Sequence, residues 1–203
     1  MFIHIGLPKT ATKSLQSMFA QHPHIDYINH YAFNTATKLL VSDANCIYSQ
    51  ENISLLSDDV FIRFRKQFGD VTILMFVRDQ VDILPSLYVQ DGSFYLESQH
   101  DHEWNEWLDL VLTTENRVRR MLEYQKRIDV IAKLFPLQVY FYEDLRDRPE
   151  ETIAELAKNT NILPDLAVAI FKTIWLNRTS DKPKMNIKQA QQVREVFGVY
   201  PWC

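Results

Sequence analysis

Side chains with phosphate-binding chemistry follow the first apolar segment of the chain. Residues 2–5 read Phe-Ile-His-Ile, which predicts a buried strand ending at Gly6. The next segment offers two ammonium groups and three hydroxyls, on Lys9, Thr10, Thr12, Lys13 and Ser14. Apolar residues then recur at helical spacing and predict a helix over 13–20. Because N–H groups at a helix N-terminus lack internal partners and the helix dipole favours negative charge, this strand–loop–helix predicts an anion site.

The spacing in this loop differs from that of the usual nucleoside-triphosphate loop. That motif requires G-x-x-x-x-G-K-[ST]. Here Gly6 is followed after four residues by Ala11 instead of glycine, and Lys13 comes one residue late. No aspartate ends an apolar strand in the Walker B manner, since Arg78 precedes Asp79. A P-loop kinase of small molecules therefore fits poorly, and it stands as the first alternative function.

A second group with phosphate chemistry follows the most apolar segment. Residues 71–77 read Val-Thr-Ile-Leu-Met-Phe-Val, which predicts a central parallel strand covered on both faces. Arg78 ends this segment, and Ser86 follows on a helix that we expect Asp82 to cap, with Pro85 in its first turn. A guanidinium binds a phosphate dianion in bidentate fashion, and a hydroxyl can complete the site. The alternative is that Arg78 pairs with a neighbouring carboxylate.

Strand and helix patterns alternate along the rest of the chain. They predict strands at 45–49 and 138–142 and helices at 57–68, 102–113, 115–135, 149–159, 164–175 and 185–197. This alternation predicts an α/β fold with three layers, in which helices flank a central parallel sheet. No linker or repeat is visible, so residues 1–203 are expected to form a single domain. Ligands of such sheets bind at the carboxyl ends of the strands, where both phosphate motifs fall.

Composition narrows the class of partner. The net charge of −4 argues against a protein that binds duplex nucleic acid, which usually presents a basic face. No apolar run reaches the ~20 residues that a membrane span needs, and no signal peptide precedes Phe2, so we expect a cytoplasmic protein. Cys46 and Cys203 are interpreted as reduced thiols. No paired ligand spacing indicates a metal site.

Two of these motifs resemble motifs of a known family. The string LPKTATKSLQ is similar to the 5′-phosphosulfate loop of the sulfotransferase superfamily, commonly written PKTGTTSLQ, with Ala11 and Lys13 as departures. FVRDQVDILPSLY resembles the 3′-phosphate motif of that family, and the segment 140–145 resembles its Y-E-D-L segment. The resemblance runs from residue 3 to about residue 160. It implies a small P-loop-like member of the bacterial or carbohydrate type.

The resemblance implies a reaction and a cofactor. A sulfuryl group would pass from 3′-phosphoadenylyl sulfate (PAPS) to the hydroxyl of a carbohydrate or other alcohol by in-line displacement, releasing 3′,5′-adenosine bisphosphate (PAP) without a metal. Carried over by position, Lys9 would contact the 5′-phosphate and the bridging oxygen. Residues 10–14 would hold the phosphosulfate, and Arg78 with Ser86 would bind the 3′-phosphate. A catalytically degenerate nucleotide-binding member is the second alternative.

Sulfuryl transfer to an alcohol also needs a base close to the loop. The resemblance places a His or Glu after the strand that follows the first helices. Glu51 occupies that position in a sequence similar to the S-x-E of many bacterial and carbohydrate-type members, so Lys9 and Glu51 are the predicted catalytic residues. His22, His24 and His30 are competing candidates for the base. The acceptor and the oligomeric state are left open.

Overall fold

The fold is known from a computed structural model that describes residues 1–29, 46–49, 58–96, 100–174 and 182–198. Among these residues the sheet has five strands, which are β1 Phe2–Gly6, β2 Asp26–Asn29, β3 Cys46–Ser49, β4 Thr72–Val77 and β5 Leu137–Phe141. The strand order is β2-β3-β1-β4-β5, and every pairing is parallel. The predicted α/β fold with a central parallel sheet is confirmed.

Ten helices accompany the sheet within the described ranges. They are α1 Thr12–Gln21, α2 Asp58–Phe68, α3 Gln80–Leu96, α4 Trp104–Thr113, α5 Arg117–Leu122, α6 Tyr124–Leu134, α7 Tyr142–Asp147, α8 Pro149–Asn159, α9 Pro164–Ile174 and α10 Ile187–Phe197. In none of these described helices are the length and hydropathy sufficient for crossing a bilayer.

Two elements differ from the predicted pattern at their capping residues. The segment predicted as one helix over 115–135 forms α5 and α6, because the backbone leaves helical geometry at Glu123, the C-cap of α5, where ψ is 64°. Asn116 caps the start of α5 by accepting the Arg119 N–H on its side chain at 2.8 Å. Helix α3 begins at Gln80 instead of after Asp82. Asp79 serves the cap, since its Oδ1 accepts the Val81 N–H at 2.7 Å. Pro85 consequently lies inside α3 and not in its first turn.

The chain divides into two compact units. The first, Met1–Val77 with Arg127–Asn177, contains the whole sheet. The second, Arg78–Lys126 with Arg178–Cys203, contains α3, α4, α5 and α10. The expectation that residues 1–203 form one domain stays a prediction.

In the first unit, α1 packs against one face of the sheet and forms a hydrophobic core with it. Strand residues Phe2, Ile47, Leu74 and Phe76 share this cluster with the apolar face of α1 and with residues of α8 and α9. Residues that alternate with them along β1 and β4 are also fully buried, as expected for a parallel sheet with helices on both faces.

The register of the central strands brings two carboxyl ends together. Gly6, the last residue of β1, pairs with Phe76 near the end of β4. The connection from β1 leads towards β2 at one edge of the sheet, and that from β4 leads to β5 at the other edge. Open α/β sheets bind ligands at this kind of switch point.

Candidate functional site

The loop after β1 is closed on one carbonyl oxygen. The Thr10 backbone N–H and hydroxyl both donate to the Leu7 carbonyl, at 3.3 and 2.7 Å, and the Thr12 hydroxyl donates to the same oxygen at 3.2 Å. Both threonines are buried. In this conformation the two hydroxyls hold the loop closed on Leu7.

Two residues of this loop have left-handed backbone conformations. Lys9 has φ 66° and Ala11 has φ 60°, although neither is glycine. Such conformations cost about 1 kcal/mol or more per residue and concentrate at binding and catalytic sites. Left-handed residues in a turn also point neighbouring N–H groups into one concave surface, as in the backbone nests that bind anions. Ala11 therefore adopts the conformation that its methyl group disfavours.

The first turn of α1 is the candidate anion site. The Leu15 N–H donates to the Ala11 carbonyl at 3.1 Å. The N–H groups of Thr12, Lys13 and Ser14 precede it, no side chain caps the helix, and its first turn contains no acidic residue. The helix dipole and the exposed Lys13 add positive charge at this end. Ser14 is almost fully buried.

Gly6 allows α1 to start this close to the sheet. A Cβ on Gly6 would lie 2.1 Å from the Thr12 Oγ1, a separation that real Cβ atoms do not adopt. The glycine is therefore required by the close approach of the helix, as in other phosphate-binding strand–loop–helix units.

Sequence reasoning missed a buried polar network beside this loop. The His4 Nδ1 lies 2.7 Å from the Ser49 Oγ, and the Gln16 Nε2 donates to the same Oγ at 3.1 Å. His4 and Ser49 are fully buried. Burial lowers the pKa of His4 to about 3, so its ring is neutral at ordinary pH. The signal available in the sequence was a histidine inside an otherwise apolar strand.

The second predicted phosphate group lies in the second unit. Arg78 follows β4 directly and is buried, and the Tyr124 hydroxyl donates to its carbonyl oxygen at 2.7 Å. Ser86 lies on α3, also buried, and its hydroxyl donates to the Asp82 carbonyl at 3.3 Å.

The structure describes some of the candidates for the catalytic base and not others. Glu51 and His30 lie outside the described residues. His22 is the residue after α1, where its N–H donates to the Met18 and Phe19 carbonyls. Burial and the neighbouring His24 ring lower the pKa of His22. Within the described ranges, no three His, Cys, Asp or Glu side chains form a group that could hold a metal ion.

These features define a class of protein. A parallel sheet at whose switch point a glycine-ended strand leads into an uncapped helix is a P-loop-like α/β fold. The family described as "Sulfotransferase domain" matches residues 2–197. The chain therefore belongs to the sulfotransferase domain family, and the resemblance read from its motifs is confirmed.

Solved structures share this fold. A sulfotransferase from Alicyclobacillus acidocaldarius superposes with a TM-score of 0.69 and 14% identity over 97% of this chain and 90% of that chain. Mouse sulfotransferase SULT7A1 complexed with PAP gives a TM-score of 0.58 and 13% identity over 86% of this chain and 63% of that chain. The sulfotransferase domain from the curacin biosynthetic pathway gives 0.60 and 10% over 96% of each chain. No curated protein sequence matches this chain.

Proposed function

We propose that this protein transfers a sulfuryl group from PAPS to an acceptor hydroxyl and releases PAP. The observation that carries the proposal is the start of α1, where uncapped N–H groups follow a left-handed loop in a chain of the sulfotransferase family. The PAP complex of the mouse relative supports the choice of nucleotide. The spacing of Gly6, Ala11 and Lys13 makes a triphosphate-dependent kinase the weaker candidate.

The loop would bind the 5′-phosphosulfate mainly through its backbone. The N–H groups of residues 12–14 would donate to its oxygens, while the hydroxyls of Thr10 and Thr12 keep the loop closed on Leu7. Lys9 and Lys13 would supply positive charge, with Lys9 at the bridging oxygen where charge develops as the bond breaks.

The 3′-phosphate would be bound by Arg78 and Ser86. Arginine suits a dianion because its planar fork donates two parallel hydrogen bonds. Arg78 directly follows the last residue of β4, and β4 pairs with β1, the strand that leads into the loop. Ser86 would exchange its hydrogen bond to the Asp82 carbonyl for one to the phosphate.

In the transfer step, the acceptor oxygen forms a bond to sulfur as the bond from sulfur to the 5′-phosphate oxygen breaks. Glu51 would take the acceptor proton, and Lys9 would neutralise the charge left on PAP. The acceptor is a small molecule or a carbohydrate hydroxyl. Nucleic acid is not an expected partner, the step uses no metal, and a cytoplasmic location stays a prediction from the sequence.

Ligand-induced thermal stabilisation tests the nucleotide. PAP at a hundredfold excess over its Kd should stabilise the protein by about 2.7 kcal/mol, and ATP should not. Stabilisation by ATP and not by PAP would instead favour the kinase. Arg78→Lys keeps the charge but loses the bidentate geometry, so it should weaken PAP and leave AMP, which lacks the 3′-phosphate, unaffected.

Transfer of labelled sulfate to a panel of sugars and alcohols tests the chemistry. Lys9→Ala and Glu51→Gln should each lower the rate by about a hundredfold or more. Glu155→Gln removes an exposed carboxylate of α8 and serves as the matched control. PAP binding without transfer to any acceptor would favour the degenerate member, and a full rate in Glu51→Gln would exclude Glu51 as the base.

A further inference from the structure

The polar network beside the loop joins three elements through one oxygen. His4 belongs to β1, Gln16 to the second turn of α1, and Ser49 is the last residue of β3. The Ser49 Oγ is 2.7 Å from the His4 Nδ1 and accepts the Gln16 amide at 3.1 Å. The network therefore ties α1 to the strands that lie beneath it.

Joining a helix to a sheet through this network costs free energy. His4 and Ser49 are 0% exposed, and the His4 Nε2 is buried without a hydrogen-bond partner. Apolar side chains would fill the same space without the cost of burying an unpaired nitrogen. Hydrogen bonds are directional and apolar contacts are not, so a network of this kind sets position more sharply than packing does.

The start of α1 needs such a restraint. Its N-cap residue, Ala11, is left-handed, and no side chain caps the helix. Strained backbone persists only where the surrounding structure holds it in place. On the sheet side of α1, Gly6 permits the close approach of Thr12, and Gln16 binds the helix to Ser49 one turn later.

We propose that His4, Ser49 and Gln16 form a positioning network that holds the first turns of α1, and with them its anion-binding N–H groups, in place over the sheet. The inference rests on the proposed function, because the anion is taken to be the phosphosulfate or the 5′-phosphate of PAP. The three residues act through the helix and do not contact the nucleotide.

A pair of isosteric variants isolates the hydrogen bond. Ser49→Thr keeps the hydroxyl, and Ser49→Val replaces that hydroxyl with a methyl group of nearly the same size. Both add the same bulk, so a packing effect moves both alike. A second pair is Gln16→Met, at a partly exposed helical site, against Gln21→Met, at the exposed end of the same helix. Amide hydrogen exchange at Leu15 and Gln16, and calorimetric titration with PAP, are the readouts.

We expect Ser49→Val to exchange these amides faster than Ser49→Thr and to bind PAP about fivefold more weakly, the loss that one ordinary hydrogen bond represents. Gln16→Met should behave like Ser49→Val, and Gln21→Met like the parent protein. Equal exchange and equal affinity within each pair would overturn the inference, as would faster exchange with unchanged affinity. If the parent protein does not bind PAP, the proposed function fails, and the exchange rates alone then decide whether the network positions α1.

Discussion

Strain at single residues is concentrated in the loop after β1. Lys9 and Ala11 are left-handed, and the other described non-glycine residue with positive φ, Asn161, is of a type that tolerates this conformation. The usual family loop has glycine where this chain has Ala11. An alanine there adds left-handed strain that glycine would not have, while its methyl group packs against the core cluster of the first unit.

We expect Ala11→Gly to stabilise the protein by about 0.5 kcal/mol, because relief of the left-handed strain exceeds the entropy that glycine adds to the unfolded chain and the contact of one partly buried methyl group. Urea denaturation measures the difference. Ala169→Gly, at an exposed interior position of α9, should instead destabilise by about 1 kcal/mol. Destabilisation by both substitutions would show that Ala11 is unstrained.

Protonation of one buried ring makes stability depend on pH. The pKa of His4 falls from 6.5 to about 3 on folding, so between these values the unfolded chain binds a proton that the folded protein does not. The contribution of His4 to the free energy of unfolding is therefore fully present above pH 6.5 and is lost as the pH falls towards 3. The loss between about pH 7.5 and about pH 5.5 should be about 1.4 kcal/mol.

Chemical denaturation of the parent protein and of His4→Leu at both pH values measures this contribution. The parent should lose about 1.4 kcal/mol more than the variant over that interval. His22, whose pKa is also lowered, contributes with the same sign and is present in both proteins, so it cancels. An equal loss in the two proteins would contradict a neutral buried His4.

At the scale of elements, the junction of β1 with α1 depends on the lack of a side chain at Gly6. The Gly6 position faces Thr12 so closely that any Cβ would clash with the Thr12 side chain and displace it. Gly6 was expected from the sequence only as the end of a strand. Its second role follows from the packing of the helix over the sheet.

Gly6→Ala should destabilise the protein by about 2 kcal/mol and weaken PAP binding at least about tenfold, because overpacking displaces the N–H groups of the first turn. Thermal unfolding and PAP titration measure both effects. Gly69→Ala introduces strain at φ 65° with nothing within 4 Å of the new Cβ, so it should cost stability alone. Partial recovery of binding in Gly6→Ala/Thr12→Ala would confirm the clash, and full PAP affinity in Gly6→Ala would contradict it.

At the scale of the whole molecule, the two units are interleaved along the chain. The first unit is assembled from Met1–Val77 and Arg127–Asn177, and β4 and β5 pair across these two segments. Helix α6 contains residues of both units. Unfolding the second unit would therefore disturb a helix that the first unit uses.

We expect one cooperative unfolding transition, with the calorimetric and van't Hoff enthalpies in a ratio of about 1. Differential scanning calorimetry with and without PAP measures it, and PAP should move the whole transition to higher temperature. Two separate transitions, of which PAP shifts one, would show that residues 1–203 are not a single domain.

Local patterns in the sequence by themselves determined the alternating strands and helices, the anion loop and the parallel α/β class. Period, capping chemistry and glycine position are properties of short segments, so they can be read without the fold. The cap of α3 was misread as Asp82 because Asp79 and Asp82 both offer capping carboxylates three residues apart. The catalytic assignment of Glu51 stays a prediction from resemblance.

Only the tertiary structure decided which distant residues meet. Strand β2 has four residues and no apolar run, and its pairing with β3 makes it a strand. His4 and Ser49 are 45 positions apart and touch because β1 and β3 are neighbours in the sheet. Ala11 likewise packs against a core cluster whose members come from distant parts of the chain. Strand order and helix packing depend on which surfaces of the whole chain are buried against one another, and short sequence patterns do not encode this.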